Sequence, residues 1–348
     1  MNLLMSVFAI FGFFYSLEAY SLPAGAKLEL KWIFEHRPEK YFQRAADVMQ
    51  ESLRDQLGDQ IIISTSLVTD GSRSDRLELR RRYIELLKTN QLGIGQIYLD
   101  PIASKDDLFK VLDMPFLFRS HEHVTKFAEG PAGKKLLDRM AAAGLKGLAL
   151  TYSGGYQGFL SGGKVDFMVP KPFEGKVGGS VSAENAQILG ASLPGDKLRS
   201  LWDSNEKPKF LLITPGTLDF SLVTYADMDV VYEKHRGPNQ LQLYNTDFNV
   251  LFTALVMNKE FYDSLPENYQ LAIQRAATAA ARAERELIAF DSASTREKIE
   301  KGTLSNPHIS YVKLSSEEES ALRKIAASSK DSISKEQQDL VKTIKNIR

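Results

Sequence analysis

The chain reads as an α/β protein of two domains, with mainly parallel sheets and a long bracing helix. Three observations carry that reading. Its 348 residues exceed the usual span of one domain, about 150 residues. Apolar runs of strand length alternate with stretches of helical periodicity through the first hundred positions. A late Ala-rich segment of some 35 residues has helix start and stop signals only at its ends.

Leu28 to Phe34 carries alternating apolar residues and reads as a strand. Pro38 opens a helix to Leu57, with Phe42, Ala45, Ala46, Met49 and Leu53 on one face. Gly58-Asp59 punctuates, Ile61 to Ile63 is a buried-strand run, and Asp75 to Lys88 is helical through Leu79, Tyr83, Leu86 and Leu87. Ile94 to Leu99 is the third strand. Strands separated by helices of this size imply crossover connections and a parallel sheet covered on both faces. Ligands of such sheets sit beyond the carboxyl ends of the strands. Those ends are Phe34-Glu35-His36, Ser64 to Ser66, and Tyr98-Leu99-Asp100. Glycines cluster from Gly154 to Gly179, where the chain can cross to a second domain with strands at Val177 to Ser182 and Lys209 to Thr214. Phe248 to Met257 reads as a central strand returning to the first domain. Ser264-Leu265-Pro266-Glu267 then starts the long helix, which stops at Gly302. At 1.5 Å per residue it measures roughly 50 Å, enough to cross two domains. A brace or a coiled-coil arm fits that length, and the run Ala276 to Ala283 favours the brace. The tail after Leu314 is helical and charged, without signs of a third domain.

Composition and charge narrow the function. Lys plus Arg and Asp plus Glu are both 44, so bulk charge gives no attraction to nucleic acid. Cysteine is absent, which removes disulfides, thiolate metal sites and thiol nucleophiles together. Leu3 to Tyr15 is an apolar run too short to span a bilayer, which takes roughly 20 residues. With Ala19-Tyr20-Ser21 after it, residues 1–21 read as a secretory signal peptide, although the α-amino group is the only positive charge before the run. Its removal deletes one acid, Glu18, and leaves one positive charge in excess. No later stretch suits a membrane span, so a periplasmic protein is expected. No G-x-S-x-G, H-E-x-x-H or phosphate-loop motif is present, and no enzyme activity, cofactor or metal is expected. His121-Glu122-His123 reads as the first turn of a helix capped by Ser120. Arg80-Arg81-Arg82 reads as a solvated helix face, with docking of a partner as the alternative.

Two segments resemble one known family. The first is Leu112-Asp113-Met114-Pro115-Phe116-Leu117-Phe118-Arg119 with Glu122-His123, Gly130-Pro131-Ala132-Gly133 and Leu145-Lys146-Gly147-Leu148-Ala149. The second is Val256-Met257-Asn258-Lys259 through Tyr262 and Leu265-Pro266. Both resemble solute-binding proteins of TRAP (tripartite ATP-independent periplasmic) transporters, in order and at that family's spacing. The resemblance implies a periplasmic-binding-protein-like fold with a hinge, a cleft that closes on a small solute, and membrane permease subunits as partners; a monomer and no nucleic acid are expected. On it, residues 22–152 form domain I, 153–247 an inserted domain II, and 248–348 the return strand, brace and C-terminal helices. The alternative is the same scaffold acting as a sensor or interaction subunit.

The resemblance also locates a departure. Family members carry an Arg that grips the ligand carboxylate, in a strand that falls here on Gly175-Lys176-Val177-Gly178-Gly179-Ser180-Val181, with Gly179 at the Arg position. A second family Arg falls on Gln157, and polar ligand contacts fall on Gly216 to Val223, including Asp219, Phe220 and Ser221. Losing one partner of a buried charge pair costs about 2 to 5 kcal/mol, so a carboxylate is not expected to be held in the family manner. Arg73, Arg76 and Lys176 are either substitutes or surface residues. The candidate ligand contacts are Phe34, Glu35, His36, Tyr98, Asp100, Tyr156, Gln157, Gly179, Ser180, Asp219, Phe220 and Phe248. His36 is a cleft contact or part of an exposed pair with Glu35. With Trp32 the aromatics suit a neutral or aromatic solute, or else they are core.

Overall fold

The computed structural model describes residues 27–34, 39–67, 76–89, 93–195, 212–214, 217–327 and 333–348. The expected signal peptide, residues 1–21, lies outside them. The first half follows the expected alternation: β1 (Leu28–Phe34), α1 (Glu39–Leu57), β2 (Ile61–Leu67), α2 (Arg76–Lys88) and β3 (Ile94–Tyr98). β1 lies between β2 and β3 and is parallel to both. A short α3 (Asp100–Ala103), a 3-10 stretch (Asp107–Asp113), α4 (His121–Glu129) and α5 (Pro131–Arg139) then lead into β4 (Leu145–Ser161). At 17 residues, β4 is long enough to belong to two sheet regions at once. Its first half pairs with β8 (Val250–Asn258), and its second half pairs with β6 (Phe220–Thr224) and β7 (Leu241–Asn245). A register shift between Tyr152 and Tyr156 separates the halves.

The sheet is mixed, which corrects the expectation of mainly parallel strands. β8 enters between β3 and β4 and runs antiparallel to each. It arrives from the second region through Phe248, without the crossover helix that would have turned it parallel to its neighbours. In the second region β6 and β7 are antiparallel to β4, whereas β5 (Gly178–Gly179) is parallel to β6, and β9 (Ile309–Lys313) is parallel to β7. The expected strand Val177 to Ser182 is cut to β5, because Ser180 takes a φ of 52° and Ser182 caps α6 (Ala183–Leu189) by accepting from the Asn185 amide. Of the expected strand Lys209 to Thr214, only residues 212–214 are described, and Ile213 and Thr214 form isolated bridges to Leu218.

The remaining α-helices among the described residues are α7 (Met228–Lys234), α8 (Lys259–Ser264), α9 (Glu267–Glu300), α10 (Ser316–Ala327) and α11 (Lys335–Lys345). The 34-residue α9 is the brace. Gly302 at φ +70° ends it, where a side chain would be strained. Ala272, Ala276, Ala277, Ala280 and Ala281 are buried with Ala45, Ala46 and Met49 of α1 in the first core. Small side chains on both helices allow close approach. Further along, Ile299 enters the core of the second region with Tyr225, Met228 and Leu243. Burial therefore continues to the last turn, which excludes a free coiled-coil arm. The tail is helical as expected: Leu340, Val341 and Ile344 of α11 pack into the first region and Leu322 of α10 into the second.

Candidate functional site

The carboxyl end of β3 carries the clearest constellation. A helix that follows a parallel strand starts at that strand's carboxyl end and runs back along the sheet, so the first turns of α2 stand beside the carboxyl ends of its neighbours. Arg80, in the second turn of α2, accordingly meets the residues that end β3. Its guanidinium carbon lies 3.8 Å from the centroid of the Tyr98 ring, and its Nη1 is 3.0 Å from Oδ1 of Asp100. The Arg80 and Asp100 side chains are 22% and 44% exposed, whereas Tyr98 is buried. Ring and carboxylate together hold the guanidinium in one place. Arg80 is thus drawn out of the solvated Arg80-Arg81-Arg82 face on which sequence reasoning put it; Arg81 and Arg82 are exposed.

Behind this end runs a polar column on one face of the sheet. Register places Tyr98 and Thr151 opposite Thr253 and so on one face, and Gln96, two residues before Tyr98, shares that face. The Tyr98 hydroxyl donates to Ser153 Oγ at 3.4 Å. Gln96 Nε2 donates to Thr253 Oγ1 at 3.0 Å and to Glu284 at 2.8 Å, and Thr151 Oγ1 donates to the other Glu284 oxygen at 3.0 Å. Glu284 projects from α9 and is fully buried. Burial pushes its carboxyl up to about 8, against the two donated hydrogen bonds and nearby Arg285. The Arg285 guanidinium itself is turned to Glu129 and to the Leu150 carbonyl. Sequence reasoning missed Glu284 because an acid in a charged helix reads as surface; the surrounding alanines were the available signal.

The positions taken from the family resemblance are uncharged. Gly179 sits in β5 and Gln157 in β4, both buried. Gly178 stacks on Phe220: an added Cβ would lie 2.4 Å from the ring. Asp219 accepts from the Val177 amide at 2.8 Å and lies 3.9 Å from Lys176, which anchors β5 locally. Lys176 is 55% exposed and stands on the surface. Ser180 follows at positive φ.

Phe220 and Phe248 have no exposed surface. Phe220 stacks on Phe173 at 3.8 Å between centroids, and Phe248 packs on Phe159 and Phe116. Both belong to the core of the second region, a correction to their placement in the cleft: an aromatic at a strand end has the same sequence signature in either role. Trp32 is likewise fully buried, in the first core.

Tyr156 turns towards α4 and α9. Its ring meets His121 edge-on at 5.1 Å, and its buried hydroxyl has no hydrogen-bond partner among the described residues. The Tyr152 hydroxyl donates to the Arg285 carbonyl at 3.1 Å, so His121 Nδ1, 2.6 Å away, carries the proton and donates to the tyrosine oxygen. Burial holds the His121 imidazole neutral, near 4. Ser120 accepts from the His123 amide as the N-cap, and among the described residues no group of three or more His, Cys, Asp and Glu is placed to hold a metal. Asp113, from the first family-like segment, ties the two regions together: it accepts from Asn249 at 2.6 Å and from Asn185 of α6 at 3.2 Å. Burial raises its carboxyl to about 6.

Of the remaining expectations, Glu35, His36 and Arg73 lie outside the described residues. For Phe34 and Arg76 the backbone alone is placed: Phe34 ends β1 opposite Leu67 and Arg76 begins α2. The structure brings Tyr98 and Asp100 together with Arg80, and leaves Tyr156, Phe220 and Phe248 elsewhere.

The family model for bacterial extracellular solute-binding proteins, family 7, matches residues 73–175 and 230–337, together more than half of the chain. Gln157 falls inside the first segment and Gly179 between the two. The C4-dicarboxylate-binding periplasmic protein DctP of Rhodobacter capsulatus is 24% identical over 254 residues, 70% of this chain and 64% of its own length; this chain thus spans less than two thirds of that relative. Among solved structures, a TRAP periplasmic solute-binding protein of Xanthobacter autotrophicus with bound β-D-galacturonate superposes with a TM-score of 0.68 at 18% identity, over 92% of this chain and all of that one. One of Sulfurospirillum deleyianum with bound succinate gives 0.71 at 17%, over 93% and 100%. These two establish likeness of fold. With the mixed sheet, the long brace and the two matched segments in place, the chain belongs to the bacterial extracellular solute-binding proteins of family 7.

Proposed function

We propose that this protein is the extracytoplasmic receptor of a TRAP-type transporter, capturing a small solute in a crevice between two domains and passing it to membrane permease subunits. The observation that carries the reading is the constellation at the end of β3. Arg80, Tyr98 and Asp100 stand where an α/β sheet presents its ligand side, in a chain of this family. The domains are residues 22–152 and 153–247, with 248–348 returning to the first. β4 and β8 serve as the connections that bend, and α9 as the brace on which they close. The mature protein works in the periplasm as a monomer after loss of residues 1–21, and it is not an enzyme.

The relatives named above hold acids. This chain lacks charge at the two positions where the family resemblance puts arginine, so the solute is held differently, with Arg80, among the described residues, as a partly exposed cation at the carboxyl end of β3. Tyr98, Asp100, Gln157, Gly179 and Ser180 remain candidate contacts, joined by Arg80. Native mass spectrometry of protein purified without refolding tests the reading. A retained small molecule whose removal lowers the melting temperature, and whose return restores it, supports capture. Absence of any retained molecule, together with no thermal shift across a broad solute panel, contradicts it.

A further inference from the structure

We propose that Asp113 is a positioning residue for solute capture: without touching the solute, it fixes the second region on the first, and with it the wall that carries Gly179 and Ser180. This rests on the receptor reading above for what the wall does, but not for how it is held. Asp113 ends the 3-10 stretch whose Leu108, Phe109, Val111 and Leu112 lie in the first core, and the chain re-enters that core at Leu117 and Phe118. Between these anchors Asp113 and Phe116 reach across. Asn185 of α6 donates to the Asp113 carbonyl oxygen at 3.0 Å and to its carboxylate at 3.2 Å, and Asn249 donates to the other carboxylate oxygen at 2.6 Å. The Ser182 hydroxyl adds a further hydrogen bond. The Phe116 amide donates to the Phe248 carbonyl at 2.7 Å, and its ring lies 5.5 Å from that of Phe248 and 4.4 Å from the Arg323 guanidinium of α10. Phe116 has a φ of 54°, a conformation that a bulky residue keeps only where its surroundings over-determine it.

Asp113 is the polar centre of this contact. Its partners come from both sides of the junction. Ser182 and Asn185 open α6, whose Leu189 is buried in the second core with Phe220 of β6, the strand that pairs with β5. Asn249 lies between Phe248 of the second core and Val250 of the first. Asn185 and Asn249 are only 2% and 4% exposed, so loss of the carboxylate leaves buried amide groups without an acceptor. The acids Glu184 and Asp100 oppose the charge of Asp113, while Ser182 and Asn249 favour it; hydrogen-bond donors therefore hold the carboxylate. Lys110 also bridges to Glu184 at 3.2 Å, but both are exposed and Lys110 is shared with Asp107, and such pairs add little.

The absence of cysteine allows spin labels to be placed at chosen sites on the full mature chain, without solute. Lys134→Cys on α5 is combined with Gln187→Cys on α6 in one pair and with Glu233→Cys on α7 in another; all three residues are exposed. Pulsed electron spin resonance reads the two distances. Asp113→Ala is expected to shift both by more than about 2 Å and to broaden them. Asn185→Ala is expected to act in the same direction, and adding it to Asp113→Ala to shift them no further. Phe220→Ala, which loosens the second core without touching Asp113, is expected to leave both distances in place. Circular dichroism melts confirm that each variant is folded. Unchanged distances in folded Asp113→Ala overturn the inference, as does an equal shift in Phe220→Ala. A change confined to the Gln187 pair also overturns it, because the contact then orders α6 alone. Should Asp113→Ala not fold, Asn185→Ala decides by the same criteria. The receptor reading stands or falls separately, on the molecule retained during purification.

Discussion

Glu284→Gln is expected to flatten the dependence of stability on pH. Glu284 is fully buried between α9 and the sheet and accepts from Gln96 and Thr151, and its carboxyl is raised from the ordinary value of 4.5 to about 8. The native state therefore keeps a proton that the unfolded state gives up above about pH 4.5. For an acid raised in this way the contribution to stability is complete below the unfolded value and is lost as pH rises through the folded one. Each pH unit in that window is worth about 1.4 kcal/mol, so between pH 5 and pH 8 the wild type is expected to lose about 3 kcal/mol more than the variant. That is a large share of a typical total of about 5 to 15 kcal/mol. Gln96 can accommodate either form: its Oε1 has no hydrogen-bond partner, and turning the amide over presents that oxygen to a protonated carboxyl or to the glutamine amide. Urea unfolding of both proteins at pH 5, 6, 7 and 8 reads the difference directly. Parallel curves would show that Glu284 is ionised and compensated in the native state, refuting the assignment. Asp113, raised to about 6, contributes in the same sense to both proteins and cancels in the comparison.

Other outcomes follow from packing. Gly155→Ala places a Cβ 3.1 Å from Ser292 Oγ and 3.2 Å from His121 and Ile288, at a φ of +81°. Denaturant titration should show a loss of about 1 to 3 kcal/mol, and a neutral result would mean that β4 bends there at no cost. Phe220→Ala and Phe248→Ala each remove a fully buried ring and should lower stability by about 3 to 5 kcal/mol. In titrations below their unfolding transitions both variants should retain solute affinity within a few fold; selective loss of affinity with unchanged stability would put the ring in the crevice.

Much of the architecture was legible in the residues. The α9 brace was readable because Ser264 to Glu267 marks its start, Gly302 its end, and the alanines between them a buried face. β8 was readable as a central strand from its unbroken apolar run, but its direction was not. Direction depends on which end the chain arrives from, and Phe248 enters from the second region. The candidate constellation at the end of β3 was legible in part. Tyr98 and Asp100 followed from the rule that ligands gather at the carboxyl ends of strands, whereas Arg80 did not, because three consecutive arginines carry no mark of which one faces inward. That is decided by the tertiary contact with the Tyr98 ring. Phe220 and Phe248 show the converse limit: the same aromatic residue serves a core and a cleft equally well, and only packing against Phe173 or Phe159 distinguishes them.

The most direct test of the proposed solute site is a crystal structure of the protein with the molecule retained on purification. The expected result is that the molecule lies at the carboxyl end of β3 in contact with Arg80 and Tyr98. A carboxylate gripped by a different arginine, with the Arg80–Asp100 pair still closed, would contradict it.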